Sequence, residues 1–215
     1  MRAAIVFAAA PLEPVSRLKA RLGQLRDPFV VAADDGATTA LAFGLRPDVV
    51  IGDLDSVDPG TLASLQQAGV PIETYPRDKN ATDGQLAIER ALQCVPGQLF
   101  LVGFLGGPRL DQALGNILLL SRIEAPAVLL DERNECRLLR PGVVESWSCE
   151  PGEVVSLIPL TSEISGVRTQ GLRWSLNDER LERGDTRGIS NEPIADAASV
   201  TITAGRLLVT RHFSS

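Results

Sequence analysis

The segment Val49-Val50-Ile51-Gly52-Asp53-Leu54-Asp55-Ser56 joins a short apolar run to a polar loop that carries two carboxylates. The same pattern recurs in the first half of the chain, with apolar runs at 4–8, 30–33, 99–102 and 127–130. Helix-like stretches lie between the runs, at 15–25, 38–43, 59–68, 83–94 and 111–122. Short apolar strands that alternate with helices predict a parallel sheet covered on both faces, a three-layer α/β domain.

The pattern changes near residues 131–142. Short runs at 154–158, 166–168 and 199–203 are separated by glycine and proline. Ala204-Gly205-Arg206 is typical of a turn into the run 207–209, which predicts a hairpin of the last two strands. We therefore expect an α/β domain over residues 1–135 and a small antiparallel β-sandwich over residues 136–215.

Composition excludes several classes of protein. The 215 residues carry 21 Lys and Arg against 27 Asp and Glu, a net charge of −6, which argues against nucleic-acid binding. The single histidine, His212, argues against a histidine triad or a multi-histidine metal site. Three cysteines without C-x-x-C spacing argue against a disulfide framework and favour a reducing, cytoplasmic location.

The apolar run after Met1-Arg2 allows two interpretations. It resembles a short secretory signal, but its length and single positive charge favour a first buried strand. No stretch approaches the roughly 20 apolar residues of a membrane span, so we expect no membrane partner.

Carboxylates collect where apolar runs end or helices begin, at Asp34, Asp35, Asp53, Asp55, Asp78, Asp83 and Asp111. The carboxyl ends of parallel strands form the ligand-binding edge of such a sheet. Acidic groups gathered there suit Mg²⁺ with a phosphate ligand. Asp53 and Asp55 lie two residues apart and would point the same way if the segment is extended. The alternative is that single aspartates cap helices and start turns.

Two loops add candidate phosphate contacts. Residues 103–111 combine glycines with Arg109 before a helix, an arrangement that favours an anion but also fits a glycine-rich turn. In Asp78-Lys79-Asn80-Ala81-Thr82-Asp83, Lys79 would neutralise phosphate charge and Asp83 would face the metal or the nucleophile. The alternative is a solvated loop in which Thr82 or Asp83 caps a helix.

The second half offers candidate contacts for a flat heterocycle. Trp174 either belongs to the core of the β domain or stacks on a cationic ring. Ser190 and Asn191 are either turn residues or hydrogen-bonding partners of a polar ring.

These motifs, in this order, resemble those of thiamine pyrophosphokinases. The matching segments are 34–37, 52–56, 78–83, 106–112, 171–176 and 190–191. Asp35 stands where the family usually has glycine, and Pro108 looks inserted before Arg109. The resemblance implies a homodimer that binds thiamine between subunits and transfers the pyrophosphoryl group of ATP to its hydroxyl. Alternatives are a pyrophosphokinase for another heterocyclic alcohol such as a pterin, and an inactive nucleotide- or thiamine-binding homologue.

The resemblance also implies roles for individual residues. Asp53, Asp55 and Asp83 would hold Mg²⁺, and Asp83 is the candidate acceptor of the hydroxyl proton. Lys79 and Arg109 would neutralise the transferring group, and Asp111 would either orient Arg109 or contribute to the metal shell. The nucleotide would contact Asp34, Gly36, Ser56, Thr82, Gly106, Gly107 and Gln112. Thiamine would contact Trp174, Ser190 and Asn191, and residues 136–215 would also dimerise.

Overall fold

The computed structural model describes residues 2–214, which form two compact units. The N-terminal unit ends at Glu132 and the C-terminal unit begins at Arg133. Within residues 2–214, no helix is both long enough and apolar enough to cross a bilayer.

The N-terminal unit contains six parallel strands in the order β4-β3-β2-β1-β5-β6. The strands are β1 (Ala3–Phe7), β2 (Phe29–Ala33), β3 (Val49–Gly52), β4 (Ile72–Thr74), β5 (Gln98–Val102) and β6 (Ala127–Leu130). The helices are α1 (Ser16–Gly23), α2 (Gly36–Ala42), α3 (Pro59–Gln67), α4 (Asp83–Leu92) and α5 (Leu110–Leu119). The parallel α/β prediction is confirmed, and the first apolar run is the central strand β1.

Helices cover both faces of this sheet. On one face, Ile5 and Val30 pack with Leu18 and Leu22 of α1. On the other face, side chains such as Val6 are fully buried and α4 lies against β1, β2 and β3. Burial on both faces explains why the strands are continuous apolar runs instead of alternating ones. The three-layer prediction is confirmed.

Seven strands make up the C-terminal unit. They are β7 (Asn134–Leu139), β8 (Glu145–Ser148), β9 (Val154–Pro159), β10 (Glu163–Gln170), β11 (Asn177–Glu182), β12 (Ala197–Thr201) and β13 (Leu207–His212). In one antiparallel group β13 lies between β7 and β9, and the other has the order β11-β10-β12-β8. Leu157 and Val209 from the first group share a core with Ile164 and Val200 from the second. The predicted sandwich is therefore confirmed.

The predicted hairpin of the last two strands is wrong. β12 pairs with β10 and β8, whereas β13 pairs with β7 and β9. The chain turns at Gly205, where φ is +94° and an added Cβ would lie 2.6 Å from the Glu163 carbonyl oxygen. This turn carries the chain from one sheet to the other, because Val200 and Val209 must reach the same core from opposite sides.

Candidate active site

A cleft of about 730 Å³ lies at the carboxyl ends of the parallel strands. Its walls come from the loops after β1, β2, β3, β4 and β5 and from the N-terminal turns of α4 and α5. This is the edge at which open α/β sheets bind ligands, and the volume suits a small-molecule substrate.

Asp34 ties two of these loops together. It closes β2 in the left-handed conformation, with φ +46°, and its N–H donates to the Ile51 carbonyl at 2.9 Å. The N–H of Leu54 donates to Asp34 Oδ1 at 3.2 Å, and Leu54 is itself left-handed at φ +64°. Two non-glycine residues in this sparsely populated region indicate loops held in place by tertiary contacts.

Gly52 makes room for the Asp34 carboxylate. A Cβ on Gly52 would lie 1.7 Å from Asp34 Oδ1, and the φ of Gly52 is +150°. Both the space and the backbone conformation therefore require glycine at the end of β3.

The acidic wall of the cleft carries concentrated negative charge. The pKa of Asp34 is raised from 3.8 to about 6, chiefly by burial and in part by repulsion from Asp83 and Asp53. The hydrogen bond from Leu54 and the charge of Lys79 act in the opposite direction. The charges of Asp83 and Asp53 thus both act on the Asp34 carboxyl.

Lys79 is the cation on this wall. Its Nζ lies 3.0 Å from Asp83 Oδ1, and both side chains are largely buried. Asp83 opens α4, where the Thr82 hydroxyl accepts a hydrogen bond from the Gln85 N–H at 3.1 Å. Asp83 Oδ1 is buried, and its contact is this ion pair with the ammonium. A carboxylate oxygen has more than one lone-pair site, so Oδ1 has capacity for a further ligand.

The donor set fits a hard divalent cation. Asp34, Asp53 and Asp83 present carboxylate oxygens, which Mg²⁺ prefers, and a cation would relieve their mutual repulsion. Within residues 2–214, no three Asp, Glu, His or Cys side chains are already grouped as a metal-binding cluster. Mg²⁺ commonly uses one or two carboxylates and takes its remaining ligands from water and substrate phosphates.

A second part of the cleft lining carries a glycine loop and an arginine. Gly106 and Gly107 have φ values of +78° and +75°, which favour glycine. Arg109 donates to both carboxylate oxygens of Asp111, at 2.9 and 2.6 Å. The Arg109 guanidinium lowers the pKa of Asp111 to about 2. Both side chains are exposed, so the guanidinium is available to an anionic ligand.

The cleft brings together most of the residues predicted in the N-terminal unit. Those that line it are Asp34, Asp53, Lys79, Thr82, Asp83, Gly106, Gly107, Arg109, Asp111 and Gln112. Gly36, Asp55 and Ser56 are not among the lining residues. Gly36 instead lets α2 approach β1, because an added Cβ would lie 2.2 Å from the Phe7 carbonyl oxygen.

The expectation that residues 53–55 are extended is wrong. The left-handed conformation of Leu54 interrupts the segment, so alternation does not apply to Asp53 and Asp55. Asp55 is exposed, and its backbone N–H donates to Asp53 Oδ1 at 3.3 Å. The role of Asp55 as a metal ligand stays a prediction.

Sequence reasoning missed three polar residues that line the cleft, namely Arg77, Gln85 and Asn116. Arg77 precedes the charged segment that was singled out, and Asn116 lies one helical turn beyond Gln112. That spacing could have identified Asn116, because residues four apart share a helix face. Its Nδ2 donates to the Phe104 carbonyl at 2.8 Å and links α5 to the loop after β5.

The other predicted ligand contacts lie in the C-terminal unit. Trp174 is 55% exposed, and the Arg173 guanidinium lies 5.8 Å from its ring centroid. Ser190 is left-handed, with φ +60°, and its N–H donates to Ser156 Oγ at 3.0 Å. Asn191 is buried.

Two family models match the chain in succession. The model described as the thiamin pyrophosphokinase catalytic domain matches residues 24–129. The model described as the thiamin pyrophosphokinase vitamin B1 binding domain matches residues 146–208.

The chain is also similar to individual proteins and solved structures that bear the name thiamine pyrophosphokinase. The chain is 29% identical over 184 residues to thiamine pyrophosphokinase of Bacillus subtilis, which covers 84% of this chain and 86% of the relative. It is 26% identical to thiamine pyrophosphokinase 1 of Oryza sativa, over 85% and 71% of the two chains. The crystal structure of thiamin pyrophosphokinase from Geobacillus thermodenitrificans has a TM-score of 0.84 at 28% identity, covering 100% and 99%. The Bacillus subtilis crystal structure has a TM-score of 0.87 at 24% identity over both complete chains, which supports the fold.

Proposed function

The chain belongs to the thiamine pyrophosphokinase family, and on that basis we propose that it transfers the pyrophosphoryl group of ATP to the hydroxyl of thiamine. The products are thiamine diphosphate and AMP. The observation that carries this proposal is the joint presence of an acidic wall, a lysine and an arginine loop around one cleft. Phosphoryl transfer requires mainly positioning and neutralisation of charge, which these groups supply.

The charged side chains of the cleft have separate tasks in the proposed reaction. Lys79 and Arg109 neutralise the negative oxygens of the pyrophosphoryl group as it leaves AMP. Asp111 orients Arg109 through the two hydrogen bonds between them. Asp83 lines the cleft and is the proposed acceptor of the thiamine hydroxyl proton.

Asp53 and Asp83, with Asp34, are the proposed carboxylates for Mg²⁺. The bound ion would supply charge neutralisation to the triphosphate. Asp55 remains a candidate ligand from the family resemblance. The glycines at 106 and 107 let the backbone approach the phosphates closely.

Thiamine is proposed to bind through the C-terminal unit. The exposed indole of Trp174 offers a face to a cationic ring. We further propose that the protein is a cytoplasmic homodimer in which Trp174 of one protomer serves the cleft of its partner, as the family resemblance implies.

The test is AMP release from ATP and Mg²⁺ across a panel of alcohols. We expect AMP with thiamine and none with a pterin alcohol or with nucleotide alone. AMP formation with the pterin alcohol but not with thiamine would instead support a pyrophosphokinase for another heterocyclic alcohol. Nucleotide binding without AMP formation under any condition would support an inactive homologue.

A further inference from the structure

The buried carboxamide of Asn191 forms its hydrogen bonds inside the C-terminal unit. Asn191 is 6% exposed, whereas Trp174 is 55% exposed. The Trp174 N–H donates to Asn191 Oδ1 at 3.1 Å, and Asn191 Nδ2 donates to the Trp174 carbonyl at 2.8 Å. Glu192 donates its N–H to the same Oδ1 at 2.9 Å. These contacts use three of the four hydrogen-bonding positions of a carboxamide.

The main chain of Asn191 is fixed to the sandwich. Its N–H donates to the Val155 carbonyl and its carbonyl accepts from the Val155 N–H, both at 2.8 Å. Val155 lies on β9 and is fully buried. Asn191 therefore connects a rigid core strand to both main-chain polar groups of Trp174.

The loop that carries Trp174 is also held on either side of the indole, where the Ile194 N–H donates to the Gly171 carbonyl at 2.9 Å and the Leu176 N–H donates to Thr169 Oγ1 at 2.8 Å. The Arg173 N–H donates to the Glu192 carbonyl at 2.8 Å, and the Arg173 guanidinium lies 3.2 Å from a Glu192 carboxylate oxygen. The ion pair is exposed and contributes little to rigidity. The carboxamide differs from these contacts because it bonds the main chain of Trp174 itself, with hydrogen bonds that are shielded from water.

We infer that Asn191 is a positioning residue whose carboxamide holds the Trp174 main chain so that the indole is presented in one orientation. It does not itself contact the ligand. This inference rests on the proposed function, in which the Trp174 ring stacks on the thiamine cation.

The first experiment compares Asn191→Ala and Asn191→Asp with the native enzyme. We expect the KM for thiamine to rise about tenfold in Asn191→Ala, the effect of losing roughly one net buried hydrogen bond. The KM for ATP should not change. Asn134→Ala is the matched control, because that carboxamide lies on β7 and contacts His212 Nδ1 at 3.0 Å. It should leave both KM values unchanged.

Asn191→Asp separates positioning from direct contact. The aspartate keeps the acceptor but places a second oxygen against the Trp174 carbonyl, so positioning predicts a higher KM for thiamine. A side chain that touches the cationic substrate would bind it more tightly as a carboxylate. An unchanged or lower KM in Asn191→Asp would therefore overturn the inference.

A spectroscopic measurement reports on the loop without substrate. In a Trp147→Phe background, where Trp174 is the single tryptophan, we expect Asn191→Ala to lower the steady-state fluorescence anisotropy of Trp174. The melting temperature, measured alongside, distinguishes loosening of the loop from unfolding. Unchanged anisotropy in a folded variant would contradict the inference.

Failure of the inference and failure of the proposed function give different results. Suppose that native enzyme forms AMP with thiamine and that Trp174→Ala raises the KM for thiamine. If Asn191→Ala then leaves that KM unchanged, the inference about Asn191 is wrong and the proposed function stands. If native enzyme forms no AMP with thiamine, the proposed function falls, and the role of Asn191 in presenting Trp174 to thiamine falls with it.

Discussion

At the scale of single residues, Asp34 and Gly52 decide where the acidic wall of the cleft lies. Asp34 accepts the Leu54 N–H, and only a residue without Cβ fits beside its carboxylate. The loop that bears Asp53 is thereby fixed against the end of β2. Placing several carboxylates near one another costs stability, which is the usual compromise at a site built for catalysis.

Asp53→Asn should abolish turnover with little effect on folding. The amide keeps the size of the side chain but removes a charge from the proposed cation site. We expect at least a hundredfold loss of kcat/KM in the AMP assay, on the order found for removal of one electrostatic group.

Asp58→Asn is the matched control for that variant. Asp58 follows the same strand, but it caps α3 by accepting the Thr61 N–H at 2.8 Å, and asparagine caps equally well. Its activity should be native. Near-native activity in Asp53→Asn would remove Asp53 from the metal site.

The pKa of Asp34 predicts a pH-dependent stability in metal-free protein. Since this pKa is raised from 3.8 to about 6, chiefly by burial, the folded state binds a proton that the unfolded chain releases between these pH values. The unfolding free energy contributed by Asp34 is therefore present at low pH and lost as the pH rises through about 6. Asp34→Asn should not show this loss.

Urea unfolding with a chelator present, between pH 4.5 and 7.5, measures the effect. Relative to Asp34→Asn, the native chain should lose about 1–2 kcal/mol across this range, a value discounted for partial solvent exposure. Asp185→Asn, a change at an exposed turn, is the control and should follow the native profile. Parallel profiles for native protein and Asp34→Asn would contradict the prediction.

At the scale of elements, the first turns of α4 and α5 place functional side chains in the cleft. Thr82 caps α4 and so places Asp83 in the first helical turn, facing the cleft. α5 behaves differently, because none of its residues is buried and Leu114 and Leu118 are 52% and 56% exposed. α5 thus contributes cleft residues without contributing a core face.

Thr82→Ala should destabilise the N-terminal unit by about 1 kcal/mol through loss of the cap. Thr82→Ser keeps a hydroxyl that accepts the Gln85 N–H, so it should recover most of that stability. Thermal or urea unfolding of the three proteins provides the measurement. Equal stability of the alanine and serine variants would mean that the capping bond contributes nothing.

At the scale of the whole molecule, the proposed dimer makes a prediction about mixed subunits. If Trp174 serves the partner's cleft, a heterodimer of Asp53→Asn and Trp174→Ala chains contains one intact site. Random co-assembly should restore about a quarter of native activity, because half of the dimers are mixed and each has one of two sites intact.

Co-expression of the two variants with different tags, followed by AMP assay, provides this measurement. Sedimentation equilibrium should give twice the 23.0 kDa of one chain. Activity no greater than the sum of the two separate variants would place both groups in the same protomer.

The amino-acid sequence alone determined the layered N-terminal unit and the position of its carboxylates at strand ends. Buried parallel strands must be apolar on both faces, so they can be recognised as continuous runs, and the polar residues after them mark the binding edge. β4 was missed because it has only three residues, among them the polar Glu73 and Thr74.

Only the tertiary structure decided which of these carboxylates share the cleft and how the last two strands pair. Leu54 adopts φ +64° because contacts with Asp34 hold it there, so the alternation of a local strand does not predict where Asp55 lies. Likewise, the turn at Gly205 is compatible with a hairpin, and the core between two sheets determines that it crosses from one to the other. Contacts between residues distant in sequence determine both the conformation of Leu54 and the pairing of the last two strands. Local sequence patterns do not contain this information.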